Sequence, residues 1–198
     1  MKNKQVLRRL RATTLAAIAA LALAQSLMAA EADTRTRPAD TEWRLHGNDV
    51  GEQRYSPLNQ VHRDNVGDLG LAWSFDLYTQ RGVEATPLMV GDTLYVSGSW
   101  SMVYALDARS GELRWFYNPE VPRSFLAKGC CDAVNRGVAY ADGRIFVGTY
   151  DGRLVALDAD SGKVLWGVQT TDREQSYTIT GAPRARARSC RSPRPIRG

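Results

Sequence analysis

The chain has 198 residues, of which 43% are hydrophobic and 24% are charged. This balance is sufficient to bury one ordinary core and excludes a chain that is disordered throughout. The formal net charge is +5, but the excess of basic residues lies at the two ends of the chain, so we predict no nucleic-acid partner.

Residues 1–32 have the organisation of an export signal. A basic start precedes an apolar run over residues 13–24, and the small residues at Ala30–Ala32 suit cleavage by signal peptidase. A membrane anchor is the alternative, but the apolar run is too short to span hydrocarbon comfortably. The sequence therefore predicts a cleaved signal peptide, no stable membrane span after its removal and a periplasmic location in which disulfides persist.

A pattern of three apolar runs occurs twice, in residues 95–115 and 146–166, at a constant offset of 51 residues. Turn residues such as Asp142-Gly143 separate the β-branched and aromatic runs, which predicts strands joined by tight turns. A period near fifty residues that is built only from strands is typical of a propeller blade. We therefore predict an all-β fold, a β-propeller of which two to three blades are present. A β-sandwich is the alternative, but sandwiches seldom repeat a sequence pattern at a fixed offset.

Tryptophan occupies the same place in both copies of the repeat, at Trp115 and Trp166. Such an aromatic residue is expected to pack between neighbouring blades, with its indole N–H donating to a carbonyl, rather than to contact a cofactor. The earlier segment Gly70–Phe75 contains Trp73 and resembles the same run. It predicts a partial blade or a closing strand before the first complete copy.

The segment Tyr117–Gly137 departs from the repeat and contains the adjacent residues Cys130 and Cys131. Long excursions from a rigid scaffold are often functional. A bridge between neighbouring cysteines requires a strained eight-membered ring, which is more plausible in a functional loop than in a scaffold. Two separate thiols, or pairing with the third cysteine, Cys190, are the alternatives, and export favours the bridge.

Residues 129–139, Gly-Cys-Cys-Asp-Ala-Val-Asn-Arg-Gly-Val-Ala, resemble the vicinal-disulfide loop of the pyrroloquinoline quinone (PQQ) dependent alcohol and methanol dehydrogenases, periplasmic enzymes with an eight-bladed propeller. The resemblance implies that a Cys130–Cys131 disulfide stacks on one face of PQQ and that Arg136 pairs with the quinone oxygens. A fixed guanidinium favours the negative charge that accumulates when the quinone accepts a hydride.

The resemblance extends from about residue 42 to residue 183. Val83–Pro87 looks like the first cofactor-binding strand of the family, and Thr178–Pro183 resembles a segment that bonds a PQQ carboxylate. Glu84 is therefore expected to contact a cofactor carboxylate or ring nitrogen, and Thr180 is expected to bond a cofactor carboxylate.

Residues 184–198 depart from the family pattern, because alternating arginines replace the next strand and the Gly-Gly-Ala-Glu turn whose Glu binds Ca²⁺. We interpret this tail as out-of-frame translation, with a genuine basic tail as the alternative. Neither metal ligands nor the catalytic Asp of the family is expected within this chain. His46 and His62 lie in polar, turn-rich sequence and are expected at the surface.

The resemblance implies oxidation of a primary alcohol to an aldehyde by hydride transfer to PQQ. Ca²⁺ or a lanthanide would act as Lewis acid, and cytochrome c would accept the electrons. This chain alone is expected to be inactive. The alternative from another class is a non-enzymatic periplasmic scaffold of the outer-membrane assembly type, which shares the Trp-bearing blades.

Overall fold

The computed structural model describes residues 42–185. The predicted signal peptide and residues 186–198 of the predicted aberrant tail lie outside this range. Among the residues described, none of the helices has the length and apolar character that a membrane crossing requires.

In this part of the chain, two antiparallel sheets follow one another, and each is formed by four consecutive strands. The first sheet comprises β1 (Leu88–Val90), β2 (Thr93–Ser97), β3 (Val103–Asp107) and β4 (Leu113–Tyr117). The second comprises β5 (Ala139–Ala141), β6 (Arg144–Gly148), β7 (Arg153–Asp158) and β8 (Val164–Gln169). Short 3₁₀ helices at Val66–Asp68, Ser99–Ser101 and Arg123–Lys128 interrupt the connecting segments. This all-β architecture confirms the prediction of successive blades.

The register of the strands repeats at the same offset as the sequence. The β3–β4 ladder shifts its register between Ala105 and Leu106, and the β7–β8 ladder shifts between Ala156 and Leu157. Those positions are related by the 51-residue offset. A bulge of this kind bends the strand and increases its twist, so both blades have the same curvature and can stack.

The core lies between the two sheets. Alternate side chains of a strand point to the same face of the sheet, and the inner faces of both blades contribute to one buried cluster. Tyr95 and Val103 enter it from the first blade, and Ile145 and Leu157 enter it from the second. Because burying one such side chain contributes about 1.5–3 kcal/mol, the two blades stabilise each other.

Trp115 joins the first blade to the second, as predicted. Its indole Nε1–H donates to the carbonyl of Ala159 at 2.9 Å. Trp73 makes the equivalent bond to the carbonyl of Ala108 at 3.2 Å, one repeat earlier. Trp166 is partly buried, and its ring lies 5.9 Å from that of Phe146.

A glycine lies beneath each docked indole. Gly162 has φ +68°, and a Cβ placed there would lie 2.6 Å from the ring of Trp115. Gly111 has φ +75°, and its Cβ would lie 2.5 Å from the ring of Trp73. The Ser-Gly turn of each blade is therefore the surface that receives the tryptophan of the preceding segment, and only glycine fits there.

Gly70–Phe75 forms no strand within residues 42–185, although Trp73 docks as the repeat predicts. A strand requires a hydrogen-bonded neighbour, and this part of the chain pairs no other strand with the segment. The predicted closing strand is thus present only as its docking tryptophan.

Candidate cofactor site

Three segments of the chain meet at the backbone of Arg136. Its N–H donates to the carbonyl of Thr180 at 2.9 Å, and its carbonyl accepts the N–H of Thr86 at 3.2 Å. Glu84 lies two residues before Thr86. The segments that contain Glu84 and Thr180 are therefore fixed on either side of Arg136.

The repeat explains why these segments converge. Ala85 and Arg136 are related by the 51-residue offset, and each lies three residues before the first strand of its blade. The two backbone bonds of Arg136 have the pattern of parallel strands, with Arg136 between Ala85 on one side and Gly181 on the other. The segments that precede the first strands of successive blades thus lie side by side.

The side chain of Arg136 joins the same two segments. Its Nη2 lies 2.9 Å from Oε2 of Glu84, and its Nη1 donates to Oγ1 of Thr180 at 2.6 Å. The side chains of Arg136 and Glu84 are 49% and 47% exposed. Exposed ion pairs contribute little to stability, so the effect of these contacts is to hold the guanidinium in one orientation. The hydroxyl of Thr180 accepts from Arg136 and keeps its own O–H as a donor.

Cys130 and Cys131 are exposed thiols whose Sγ atoms lie 2.8 Å apart. The hydrogen bond with Cys130 raises the pKa of the Cys131 thiol, Glu84 acts in the same direction, and Arg136 opposes them. Cys131 is therefore within electrostatic reach of both Glu84 and Arg136. The structure brings the predicted site residues together, while the disulfide stays a prediction.

The residue before the cysteine pair must be glycine. A Cβ on Gly129 would lie 1.8 Å from the hydroxyl oxygen of Tyr150, which is only 1% exposed. Burial raises the pKa of Tyr150, and the nearby Cys130 and Asp132 act in the same direction. The loop thus packs directly on a buried phenol that stays neutral.

Sequence reasoning missed a second support for the loop, at Trp100 and Ser101. Both residues have φ +60°, a left-handed conformation that non-glycine residues seldom adopt. The backbone N–H of Trp100 donates to the carbonyl of Ala133 at 2.8 Å, next to Asp132, whose carboxylate pairs with Arg81. The available signal was the dipeptide Trp100-Ser101 at the place where the second copy has an Asp-Gly turn.

His46 is partly buried, whereas His62 is exposed as expected. A cavity of about 150 Å³ next to the site is lined by His46, Arg136, Gly181, Ala182 and Arg184. Nε2 of His46 lies 2.9 Å from a guanidinium nitrogen of Arg54. Since a guanidinium only donates, Nε2 of His46 is the acceptor in this contact.

A larger open cleft, of about 800 Å³, lies elsewhere and is bordered by Arg81, Trp100 and Arg123 among others. None of the five predicted site residues lines it. Residues 42–185 contain no group of three or more His, Cys, Asp or Glu side chains that could hold a metal ion. The candidate site is therefore the cluster around Arg136.

Residues 43–170 match the family described as PQQ: glucose/ethanol/alcohol dehydrogenase, β-propeller domain. The chain belongs to this family. The 1-butanol dehydrogenase (cytochrome c) of Thauera butanivorans is 55% identical over 152 residues, which are 76% of this chain and 22% of that protein. The chain thus spans about a fifth of the length of the curated relatives it matches.

Solved structures of the family agree with the fold. The quinohemoprotein alcohol dehydrogenase of Comamonas testosteroni has a TM-score of 0.70 at 53% identity, over 72% of this chain and 21% of that one. A europium-containing methanol dehydrogenase has a TM-score of 0.68 at 45% identity, over 72% and 25% of the two chains. This chain therefore has the blade structure of PQQ-dependent dehydrogenases.

The donor set fits the cofactor that gives the family its name. Arg136 presents charge-assisted N–H donors, which suit quinone and carboxylate oxygens. Thr180 adds a hydroxyl donor, and the neighbouring pair Cys130 and Cys131 adds exposed sulfur. Glu84 and Thr180 hold the guanidinium in place, so the arrangement is organised before a ligand arrives.

Proposed function

We propose that this chain holds one side of the cofactor in a periplasmic PQQ-dependent alcohol dehydrogenase. The observation that carries the proposal is the double attachment of Arg136, through both backbone and side chain, to the Thr180 segment and the Glu84 segment. The whole protein would oxidise a primary alcohol to the aldehyde and pass electrons to cytochrome c.

PQQ, when bound, supplies the quinone that accepts a hydride from the alcohol. Arg136 would contact the quinone oxygens and would favour negative charge there. The hydroxyl of Thr180 would donate to a cofactor carboxylate. Glu84 orients Arg136 and would accept from protonated groups of the ligand. None of these residues abstracts the substrate proton, and we assign that role, together with ligation of Ca²⁺ or a lanthanide, to parts of the whole protein outside residues 42–185.

Cofactor binding by the 198-residue chain tests the proposal directly. We expect Arg136→Gln to weaken PQQ binding by about 10-fold or more, because a charge-assisted hydrogen bond contributes about 1.5–3 kcal/mol. Titration of tryptophan fluorescence with PQQ measures the affinity. Arg109→Gln, which removes the same charge from an exposed turn, should leave the affinity unchanged.

Equal losses in the two variants would show that PQQ senses only net charge. No binding by the unsubstituted chain would contradict a cofactor site in this part of the protein and would favour the scaffold interpretation.

We further propose that Cys130 and Cys131 form the vicinal disulfide in the exported protein. Alkylation without reductant, followed by peptide mass spectrometry, should leave Cys130 and Cys131 unmodified until a reductant is added. Alkylation of Cys130 and Cys131 in the periplasmic protein before reduction would contradict the bridge.

Export and the tail are separate proposals. Residues 1–32 act as the signal peptide, so the N-terminus of protein recovered from the periplasm should follow Ala30–Ala32. The tail after Pro183 arises by a shift of frame, so the nucleotide sequence beyond the codon for Ala182 should resume a Gly-Gly-Ala-Glu turn in another frame. Retention of the leader, or no such frame, would contradict the respective proposal.

A further inference from the structure

Asn135 precedes Arg136 and is 1% exposed. Its Nδ2 donates to the carbonyl of Gly148, at the end of β6, at 2.9 Å. Its Oδ1 accepts the N–H of Gly137 at 3.1 Å. One amide side chain therefore ties the residue that follows Arg136 to a strand of the second blade.

Gly148 is also the residue on which the Thr180 segment packs. A Cβ on Gly148 would lie 2.5 Å from Cγ2 of Ile179, so the close approach of this segment depends on glycine. Asn135 is bonded to the carbonyl of the same Gly148. The peptide of Arg136 and the Thr180 segment are therefore both held against Gly148 at the end of β6.

Asn135 differs in burial from the residue at the equivalent position of the preceding repeat. Asn135 follows Glu84 at the 51-residue offset, yet the side chain of Glu84 is about half exposed and that of Asn135 is buried. A buried amide that loses its partners costs about 1–3 kcal/mol, and both bonds of Asn135 go to backbone groups, the carbonyl of Gly148 and the N–H of Gly137. Gly137, with φ +139°, completes a peptide that few other residues could adopt.

We propose that Asn135 is a positioning residue for the cofactor site. It fixes the peptide of Arg136 against β6, so that the guanidinium meets Thr180 and Glu84 without further rearrangement. The role of Asn135 toward PQQ rests on the proposed function, whereas its effect on the backbone does not.

Two readouts on the full chain test this inference, and the first needs no cofactor. In Asn135→Ala, hydrogen exchange of the Arg136 and Gly137 amides, followed by NMR, should accelerate by about 10-fold or more relative to amides of β3. The second readout is PQQ affinity, which should fall by about 10-fold while the chain stays folded.

Thr149→Val is the matched control. Thr149 is also fully buried and polar, and its hydroxyl bonds the turn between β6 and β7 at Asp151 and Arg153. This variant should lose stability without selective exchange at Arg136 and Gly137. Asn135→Asp keeps the acceptor for the Gly137 N–H and should restore part of the Gly137 protection if the variant with Ala unfolds.

Unchanged exchange at Arg136 and Gly137 in a folded Asn135→Ala chain would overturn the inference, whatever PQQ does. The same uniform loss in Asn135→Ala and Thr149→Val would also overturn it, since Asn135 would then be merely structural. Selective exchange without PQQ binding by any variant would retain the backbone role of Asn135 and contradict the proposed function instead.

Discussion

Arg136 shows how one residue organises a site through its main chain and side chain together. The backbone bonds fix the segments on either side of Arg136, and the guanidinium contacts a side chain in each of these segments, Glu84 in one and Thr180 in the other. A lysine there would keep a charge but not the planar pair of donors that reaches two partners at once.

Asp107 provides a pH-dependent contact at the Ser-Gly turn of the first blade. The Arg114 guanidinium, followed by the N–H groups of Ser110 and Arg109, holds the pKa of this carboxyl well below its usual range. A lowered pKa in the folded state contributes stability above the ordinary carboxyl pKa of about 3.9, and the contribution is lost as pH falls through the folded value.

We therefore expect Asp107→Asn to lower the urea midpoint above about pH 5 and to differ progressively less from the parent as pH falls below about 4. Urea unfolding from pH 6 to pH 2 measures the effect. Asp158→Asn should behave in the same direction, because the hydroxyl and N–H of Ser161 lower the pKa of that carboxyl. A parent–variant difference that is constant with pH would contradict this account.

Cys130, Cys131 and Arg136 were predicted as site residues from the Cys-Cys loop, and Glu84 and Thr180 were predicted from two further short segments, because local motifs carry family resemblance. Asn135 and Trp100 could not be predicted in this way, since their importance lies in contacts with Gly148 and Ala133 that only folding creates.

At the scale of elements, the turn that receives the tryptophan determines how blades join. Gly162 and Gly143 both have positive φ, but only Gly162 would place a Cβ against the Trp115 ring, whereas Gly143 has nothing within 4 Å. A substitution at Gly143 therefore tests the cost of the backbone conformation alone, whereas a substitution at Gly162 also tests the packing against Trp115.

We expect Gly143→Ala to cost about 1–2 kcal/mol of unfolding free energy through its backbone conformation. Gly162→Ala should cost about 1–3 kcal/mol more, because the added methyl displaces the indole. Urea unfolding followed by circular dichroism compares the two variants. Equal costs would mean that the tryptophan moves aside without loss.

Three strands of each blade were predictable, because the period of about fifty residues and the apolar runs mark β2–β4 and β6–β8. The first strands, β1 and β5, lie outside the repeated runs. The strand expected at Gly70–Phe75 was not formed, since a sequence pattern cannot supply the neighbouring strand that hydrogen bonding requires.

For the whole molecule, the shared core implies that the two blades unfold together. Ile145 is fully buried in the cluster to which both sheets contribute. We expect Ile145→Ala, in the second blade, to cost about 2–5 kcal/mol and to accelerate hydrogen exchange in β2 as well as in β6.

Leu165→Ala, at a position that is 48% exposed on β8, is the control and should cost about 1 kcal/mol or less. Thermal unfolding measures the loss of stability, and hydrogen exchange followed by NMR shows in which of the two sheets the amides lose protection. Loss of protection confined to β6 would show that the blades are independent units.

Trp73 docks on the first blade and Trp115 docks on the second, so each of these blades receives an indole from the segment before it. The packing of the blades therefore has a direction along the chain. A chain that emerges from its N-terminus always presents the tryptophan before the turn that captures it, so each new blade can close on one already completed. Assembly can then proceed vectorially, at the pace of synthesis or translocation, without waiting for the ring to close.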